Sequence, residues 1–360
     1  MSSIDGWGRY SKYIVEAASN FVEIKAVITE AKAENETFIS PVYAKLPRFS
    51  YRPIDQLKFL YYALKYFRGC DIIHSLVETS AFAAALASRI LGAQLVMTLH
   101  GTAAVPPLKI SLAREALRFA YRTAAITTTG SFFTEKQVRE RVNFGECRFI
   151  PNGVDPETFH ILSDAADKNF LLTVGWLEPR KGMDISIEAL ISLKDEFPDL
   201  VLKIVGGAKN KEFYENLKLI ARRGGVENRV QFLGRITDEE LVRLYNECSV
   251  FIFPARNFNN DFEGFPMVFY EANACGAPVV TTRGFGSEYA IKDGYNGILV
   301  DSEDADAIGR AIKKIVDDRE LRGRMKENAL VAAKEHAWDT IAKNQLIKMY
   351  NDALKLNGNK

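Results

Sequence analysis

The feature that most constrains this chain is a regular alternation in its second half, where short apolar runs are separated by segments of helical periodicity. "FLLTVGWL" at 170–177 is followed by the helix-like "GMDISIEALISLKDEF", then by "LVLKIVGG" at 200–207, a helical stretch at 211–223 and "VQFLGRI" at 230–236. A helix from Asp238 to Cys248 leads into "SVFIFPA" at 249–255, "APVVTT" at 277–282, "GILV" at 297–300 and a helix that begins after "DSEDAD". Continuous apolar strands with helices between them predict βα units and a parallel sheet covered on both faces. Such sheets take their ligands at the carboxyl ends of the strands.

The first half repeats the theme less cleanly. "CDIIHSL" at 70–76, "QLVMTLHG" at 94–101, "AAITTTG" at 124–130 and "CRFIPNG" at 147–153 read as buried strands, with an Ala-rich helix over 79–91. At 360 residues the chain is long for one core, and a turn-rich, charged stretch at 153–169 marks a boundary. The expected fold class is α/β, with two doubly wound, Rossmann-like parallel-sheet domains, 1–155 and 156–337, facing across a cleft. An amphipathic helix over 338–360 is left to pack on either domain, with the first as the expectation.

Composition excludes several classes. The net charge is +1, and residues 1–160 carry 19 Lys and Arg against 15 Asp and Glu, too small a basic excess for a nucleic-acid binder. No window approaches the ~18 uninterrupted apolar residues of a membrane span, and "MSSIDGWGRYSKY" has no apolar signal core, so a cytoplasmic protein is expected. Cys70, Cys147, Cys248 and Cys275 are scattered, without a paired or His-flanked spacing, which suggests buried apolar packing instead of a metal site or disulfide. "DAD" at 304–306 precedes an apolar-periodic run and reads as a helix cap, not a metal triplet.

Two local features carry chemistry. "VGWLEPRKG" at 174–182 turns from strand to helix with Arg180, Lys181 and Gly182, a cationic turn suited to a diphosphate. In "EGFPMVFYEANACG", 263–276, a helix is expected from Pro266, with outward amides from Gly264 through Phe265 and Met267 to Val268. Glu271 lies within an almost wholly apolar helix, so it needs a partner, either a side chain or a ligand.

Together, "NGVD", "VGWLEPRKG", "FLGRI", "EGFPMVFYEANACGAPVV" and "GSEYAIKDGYNGILV" resemble the glycosyltransferase family 4 pattern on the GT-B fold. The likeness is strong over about 150–350 and looser through "GWGRYS", "DIIHS" and "MTLHG". It implies retaining transfer of a hexose from a nucleotide-diphosphate sugar to a glycan or lipid-linked acceptor, with no metal and no organic cofactor. By that resemblance Glu263 holds the donor sugar, Glu271 takes the ribose hydroxyls and Lys181 neutralises the diphosphate. Arg235 and Ile236 lie by the base, and His100 reaches toward the sugar from the first domain. Gly6 and Gly8 form a tight loop near the phosphates, and Trp7, Arg9 and His74 stand on the acceptor side, with packing an equal reading for His74. The same resemblance leaves open a sugar-nucleotide epimerase or a non-catalytic nucleotide-sugar-binding protein.

The chain departs from the pattern in three places, one of them the seven-residue "RNFNNDF" at 256–262, a longer loop before Glu263 than the shortest family members carry. Trp176 stands where the family usually has an arginine, so a phosphate contact must come from elsewhere, with Arg180 and Arg9 as candidates. The strand that normally precedes the "GWGRYS" loop is also expected to be missing. Finally, 45–68 combines six Lys and Arg with seven aromatics, and 108–122 adds four basic residues. Both fit either a peripheral membrane surface on the inner face or amphipathic packing with snorkelling cations.

Overall fold

The computed structural model of the chain describes residues 6–28, 41–43, 51–105, 111–259, 262–284, 286–301 and 303–356. Two compact units result, one from residues 6–151 together with 338–360 and one from residues 152–337.

In the first unit, β1 (Ala26–Ile28) and β2 (Pro41–Tyr43) pair in parallel as a small sheet. The main sheet is parallel in the order β3 (Ile72–Ser75), β4 (Gln94–Leu99), β5 (Ile126–Thr129) and β6 (Cys147–Phe149), with β3 at its edge among the described residues. The helix Ala81–Leu91 buries Ala81, Ala83, Ala84, Ala85 and Ala87, whose small side chains allow close packing. It stops at Gly92, which takes a left-handed conformation that alanine would resist.

The N-terminal stretch differs from the expectation of a glycine loop. Gly6 and Gly8 lie in the first turn of a helix, Gly6–Ser19, because Tyr10, Ile14, Ala17 and Ala18 form a buried helical face that fixes the segment. The C-terminal segment joins this unit as the helices Trp338–Ile341 and Ile347–Lys355, linked through a wider π-turn at Ala342–Leu346. Trp338 meets the Tyr10 ring edge-on at 5.6 Å, Tyr350 Oη lies 2.8 Å from His74 Nδ1, and Arg148 pairs with Asp352 at 2.8 Å.

In the second unit all six strands are parallel: β7 (Phe170–Val174), β8 (Val201–Val205), β9 (Val230–Gly234), β10 (Val250–Phe253), β11 (Val279–Thr282) and β12 (Gly297–Val300). Their order is β12-β11-β10-β7-β8-β9. The chain enters at β7, winds outward to β9 and returns to β10 on the other side of β7. The reversal leaves a switch point between β7 and β10, where loops diverge and open sheets of this kind bind ligands.

The helices are capped as their sequences suggest. Thr237 and Glu240 form a reciprocal capping box ahead of Asp238–Glu247, and Asn210 accepts from Phe213 N–H ahead of Lys211–Arg223. Asp304 accepts from Ala307 N–H at 2.8 Å, so "DAD" is a helix cap. The helix expected from Pro266 begins at Val268 and ends at Ala274; Met267 O accepts the first strong bonds, from Tyr270 and Glu271.

Candidate active site

The turns after β7 and β10 are pressed together at the switch point. Gly182 has φ +69°, and a Cβ there would stand 1.9 Å from Pro254 O, so only glycine lets the "PRKG" turn reach the end of β10. Arg256 N–H donates to Arg180 O at 3.0 Å, and Lys181 Nζ lies 5.0 Å from the Phe253 ring centroid. The loop that follows is held by Asn152 Nδ2, which donates to Phe265 O at 2.8 Å.

This packing brings Arg180, Lys181 and Glu263 together. Arg180 Nη1 and Lys181 Nζ both donate to Glu263 Oε2, and Arg180 Nη2 pairs with Glu178 at 3.0 Å. Glu263 is 8% exposed. Burial alone would raise its carboxyl pKa, but Lys181 and then Arg180 hold it below the ordinary glutamate range. Lys181 is drawn below the ordinary lysine range by burial and by Arg180, against the pull of Glu263. The result is a buried carboxylate beyond the carboxyl ends of the central strands β7 and β10, with two cations supplied by two adjacent residues of one turn.

Glu271 finds a side-chain partner. Tyr245 Oη donates to its Oε2 at 3.3 Å, and both residues are buried. Tyr245 comes from the helix before β10, and nothing in its spacing from Glu271 announces the pair. Gly264 and Pro266 are buried, while Phe265, Met267 and Val268 are half-buried, and the Phe265 ring stacks on Tyr270 at 5.7 Å. Arg235 lies not against this cluster but 4.4 Å from the centroid of the Trp176 ring, with Ile236 half-buried beside it.

In the first unit, His100 ends β4 with its ring Nε2 2.7 Å from Leu76 O and the Tyr10 ring edge-on at 4.7 Å. Burial lowers its pKa to about 4, so the imidazole is neutral at pH 7. His74 is engaged through both nitrogens, by Tyr350 Oη and by Thr98 Oγ1 at 2.9 Å, and burial and then His100 lower its pKa to about 3. Arg9 is buried and Gly8 half-buried on the Gly6–Ser19 helix, whereas the side chain of Trp7 lies outside the described residues.

Sequence reasoning missed Glu78. This residue, 2% exposed, accepts His100 N–H at 2.6 Å and has no cation partner among the described residues. Burial pushes its pKa up to about 8, against the backbone hydrogen bonds it accepts. The signal was present: Glu78 is the lone charge in "SLVETSAFAAALAS", between a buried strand and an Ala-rich helix.

Among the described residues, no three His, Cys, Asp or Glu side chains cluster as metal ligands would, and no helix is long and apolar enough to cross a membrane. The basic segments are described in part: residues 45–50 and 108–110 lie outside, while the helices Pro53–Tyr66 and Ser111–Thr123 are present. Pro53–Tyr66 exposes Ile54, Leu57 and Tyr61 at 56%, 61% and 58%. Its acidic residue, Asp55, is buried and paired with Arg52 and Lys58 at 3.0 and 3.9 Å.

Known proteins resemble both units. The family model described as Glycosyl transferases group 1 matches residues 155–331, and that described as Glycosyltransferase Family 4 matches residues 14–158. A GDP-mannose-dependent alpha-(1-6)-phosphatidylinositol monomannoside mannosyltransferase of Mycolicibacterium smegmatis is 33% identical over 265 residues, 67% of this chain and 68% of that protein. An uncharacterized glycosyltransferase of Methanocaldococcus jannaschii is 29% identical over 272 residues, 75% of this chain and 72% of that one. The solved structure of Anabaena HepE in complex with UDP-glucose has a TM-score of 0.79 at 21% identity, covering 98% of this chain and 97% of its own. Sucrose-phosphate synthase of Thermosynechococcus elongatus gives 0.79 at 22% identity, covering 98% and 95%. These two structures speak for the fold, and the family models and the mycolicibacterial relative speak for descent. The chain is a glycosyltransferase of the family 4 group with the GT-B fold.

Proposed function

We propose that the chain transfers a hexose from a nucleotide-diphosphate sugar to a glycan or lipid-linked acceptor, with retention of configuration and without a metal or organic cofactor. The observation that carries this reading is the Arg180–Lys181–Glu263 group, a buried carboxylate held by two half-buried cations, at the switch point of the second sheet. The name of the mycolicibacterial relative, with its GDP-mannose donor and phosphatidylinositol monomannoside acceptor, supports the donor class and a lipid-linked acceptor. The UDP-glucose held by the Anabaena structure supports the donor class as well.

The donor diphosphate competes with Glu263 for Lys181. As the bond from sugar to phosphate breaks, the leaving diphosphate gains negative charge, and a cation fixed by Gly182 and Phe253 stabilises that charge without reorganising. Glu263, kept ionised by its cations, accepts hydrogen bonds from sugar hydroxyls and orients the ring without transferring a proton. Glu271, oriented by Tyr245, accepts the ribose hydroxyls. His100, in the first unit, carries a neutral imidazole suited to hydrogen bonding at neutral pH. The exposed Ile54, Leu57 and Tyr61, with basic neighbours on the same helix, support peripheral contact with the inner face of a membrane.

The test is a transfer assay on a donor selected by thermal shift, with the anomeric configuration read by NMR and a chelator added in parallel. The reading expects a retained configuration and unchanged rates with chelator. An inverted product, or loss of rate restored by a divalent ion, contradicts it. A rearranged sugar nucleotide formed without acceptor points to an epimerase instead.

A further inference from the structure

Glu263 ends a loop that also begins on the turn it serves. Arg256, at the start of that loop, donates its N–H to Arg180 O at 3.0 Å, and Ala255 O, just before it, accepts from Thr282 Oγ1. The Arg256 guanidinium reaches Asp184, with Nη2 2.6 Å from Oδ2, and lies 5.6 Å from the centroid of the Phe258 ring. Asp184 stands in the first turn of the helix Met183–Ser192, directly after the Arg180–Lys181 turn, where a carboxylate also suits the helix N-terminus. Both ends of the loop are therefore tied to residues 180–184, the start through Arg256 and the end through Glu263.

The two ties differ in what can open them. A bound diphosphate competes with Glu263 for Lys181, so the tie at the loop's end is exchanged for the ligand. The Arg256–Asp184 pair is closed off: each side chain is 14% exposed, and Asp184 Oδ1 and Arg256 Nε are out of solvent with no hydrogen-bond partner among the described residues. Removing either member strands the other without its counter-charge, which makes this pair costly to break. A loop whose end exchanges partners stays in place only if its start is held independently, and Arg256 with Asp184 is that hold.

We propose that Arg256 and Asp184 are positioning residues for Glu263. Their ion pair keeps the loop on the cationic turn while the donor takes Lys181, so that the Glu263 carboxylate meets the sugar hydroxyls. The proposal rests on the nucleotide-sugar reading above and deepens it by naming what orients the sugar contact.

Calorimetric titration with UDP-glucose, GDP-mannose and ADP-glucose, each beside its free diphosphate, tests it. The parent binds at least one of the nucleotide sugars. Arg256→Met and Asp184→Asn each weaken that nucleotide sugar about tenfold or more, the scale of a lost hydrogen bond to a charged group. The Kd of the free diphosphate stays within about twofold, as for an independent site. Glu263→Ala weakens the nucleotide sugar too, and adding Arg256→Met to it costs nothing further, because both changes remove the same contact. Arg256→Lys retains most of the affinity, since one N–H donor suffices for Asp184 Oδ2. Far-UV circular dichroism of the variants stays at the parental level; should Arg256→Met fall below it, the isosteric Asp184→Asn carries the test. Additive losses in the double variant, or equal losses for nucleotide sugar and free diphosphate, overturn the positioning role and make Arg256 a ligand contact in its own right. Single variants that bind the nucleotide sugar as the parent does overturn this proposal and leave the donor reading standing. A parent that binds no nucleotide sugar overturns the donor reading and this proposal with it.

Discussion

Glu78 and Glu263 are both buried glutamates beyond the carboxyl end of a parallel strand, and their surroundings give them opposite protonation states. Glu263 lies between Arg180 and Lys181 and remains an anion. Glu78 accepts a backbone N–H from His100, has no cation partner among the described residues and holds its proton up to about pH 8. Similar burial therefore yields a charged group in one unit and a neutral fastener in the other. The deciding difference is whether a neighbouring loop supplies positive charge.

The largest expected effect comes from breaking the charged member. Glu263→Ala and Lys181→Ala each lower the transfer rate by about 10²–10³ or more, the scale of a lost transition-state contact. Far-UV circular dichroism of the variants stays at the parental level. Retained turnover in both would remove the distinction between the two glutamates.

The neutral member is tested through stability. Because the folded pKa of Glu78 is raised to about 8, the folded chain holds a proton that the unfolded chain releases above its ordinary value of 4.5. Its contribution is fully present below that ordinary value and is lost as pH rises through about 8, with a slope near 1.4 kcal/mol per pH unit in between. In urea titrations across this range, Glu78→Gln flattens the decline of the first unit. The opposite sign applies to Glu263: its lowered pKa contributes stability above the ordinary carboxylate range that is lost as pH falls through the folded value, so Glu263→Gln flattens only the acid side.

The smallest effect calibrates the comparison with an exposed carboxylate. Asp304 caps the helix Ala305–Asp317, and Asp304→Ala costs about 1 kcal/mol in the same urea titration. A loss as large as that of a buried pair would mean the cap does more than bond Ala307 N–H.

The contrast also explains what the sequence disclosed. Strands such as 297–300 and helices such as 211–223 are legible to the residue because apolar runs, caps and glycines coincide there. The Arg180–Lys181 turn is legible because adjacent residues carry both cations, and Glu263 because it falls within a motif. Tyr245 against Glu271, and Lys209 on Trp176, are not legible, since each pair joins different loops or helices whose approach depends on tertiary packing. The glycine loop expected at Gly6 and Gly8 became a helix because a buried apolar face outweighed two poor helix formers.

The central claim is that Lys181 and its neighbours form a nucleotide-sugar site, and one measurement addresses it directly. Parent and Lys181→Ala chains are melted with a panel of UDP-, GDP- and ADP-sugars at saturating concentration, where a ligand that binds only the folded state raises the melting temperature. The account predicts that at least one donor stabilises the parent and that the shift is lost in Lys181→Ala. Equal shifts in both chains, or no shift with any donor, would contradict it.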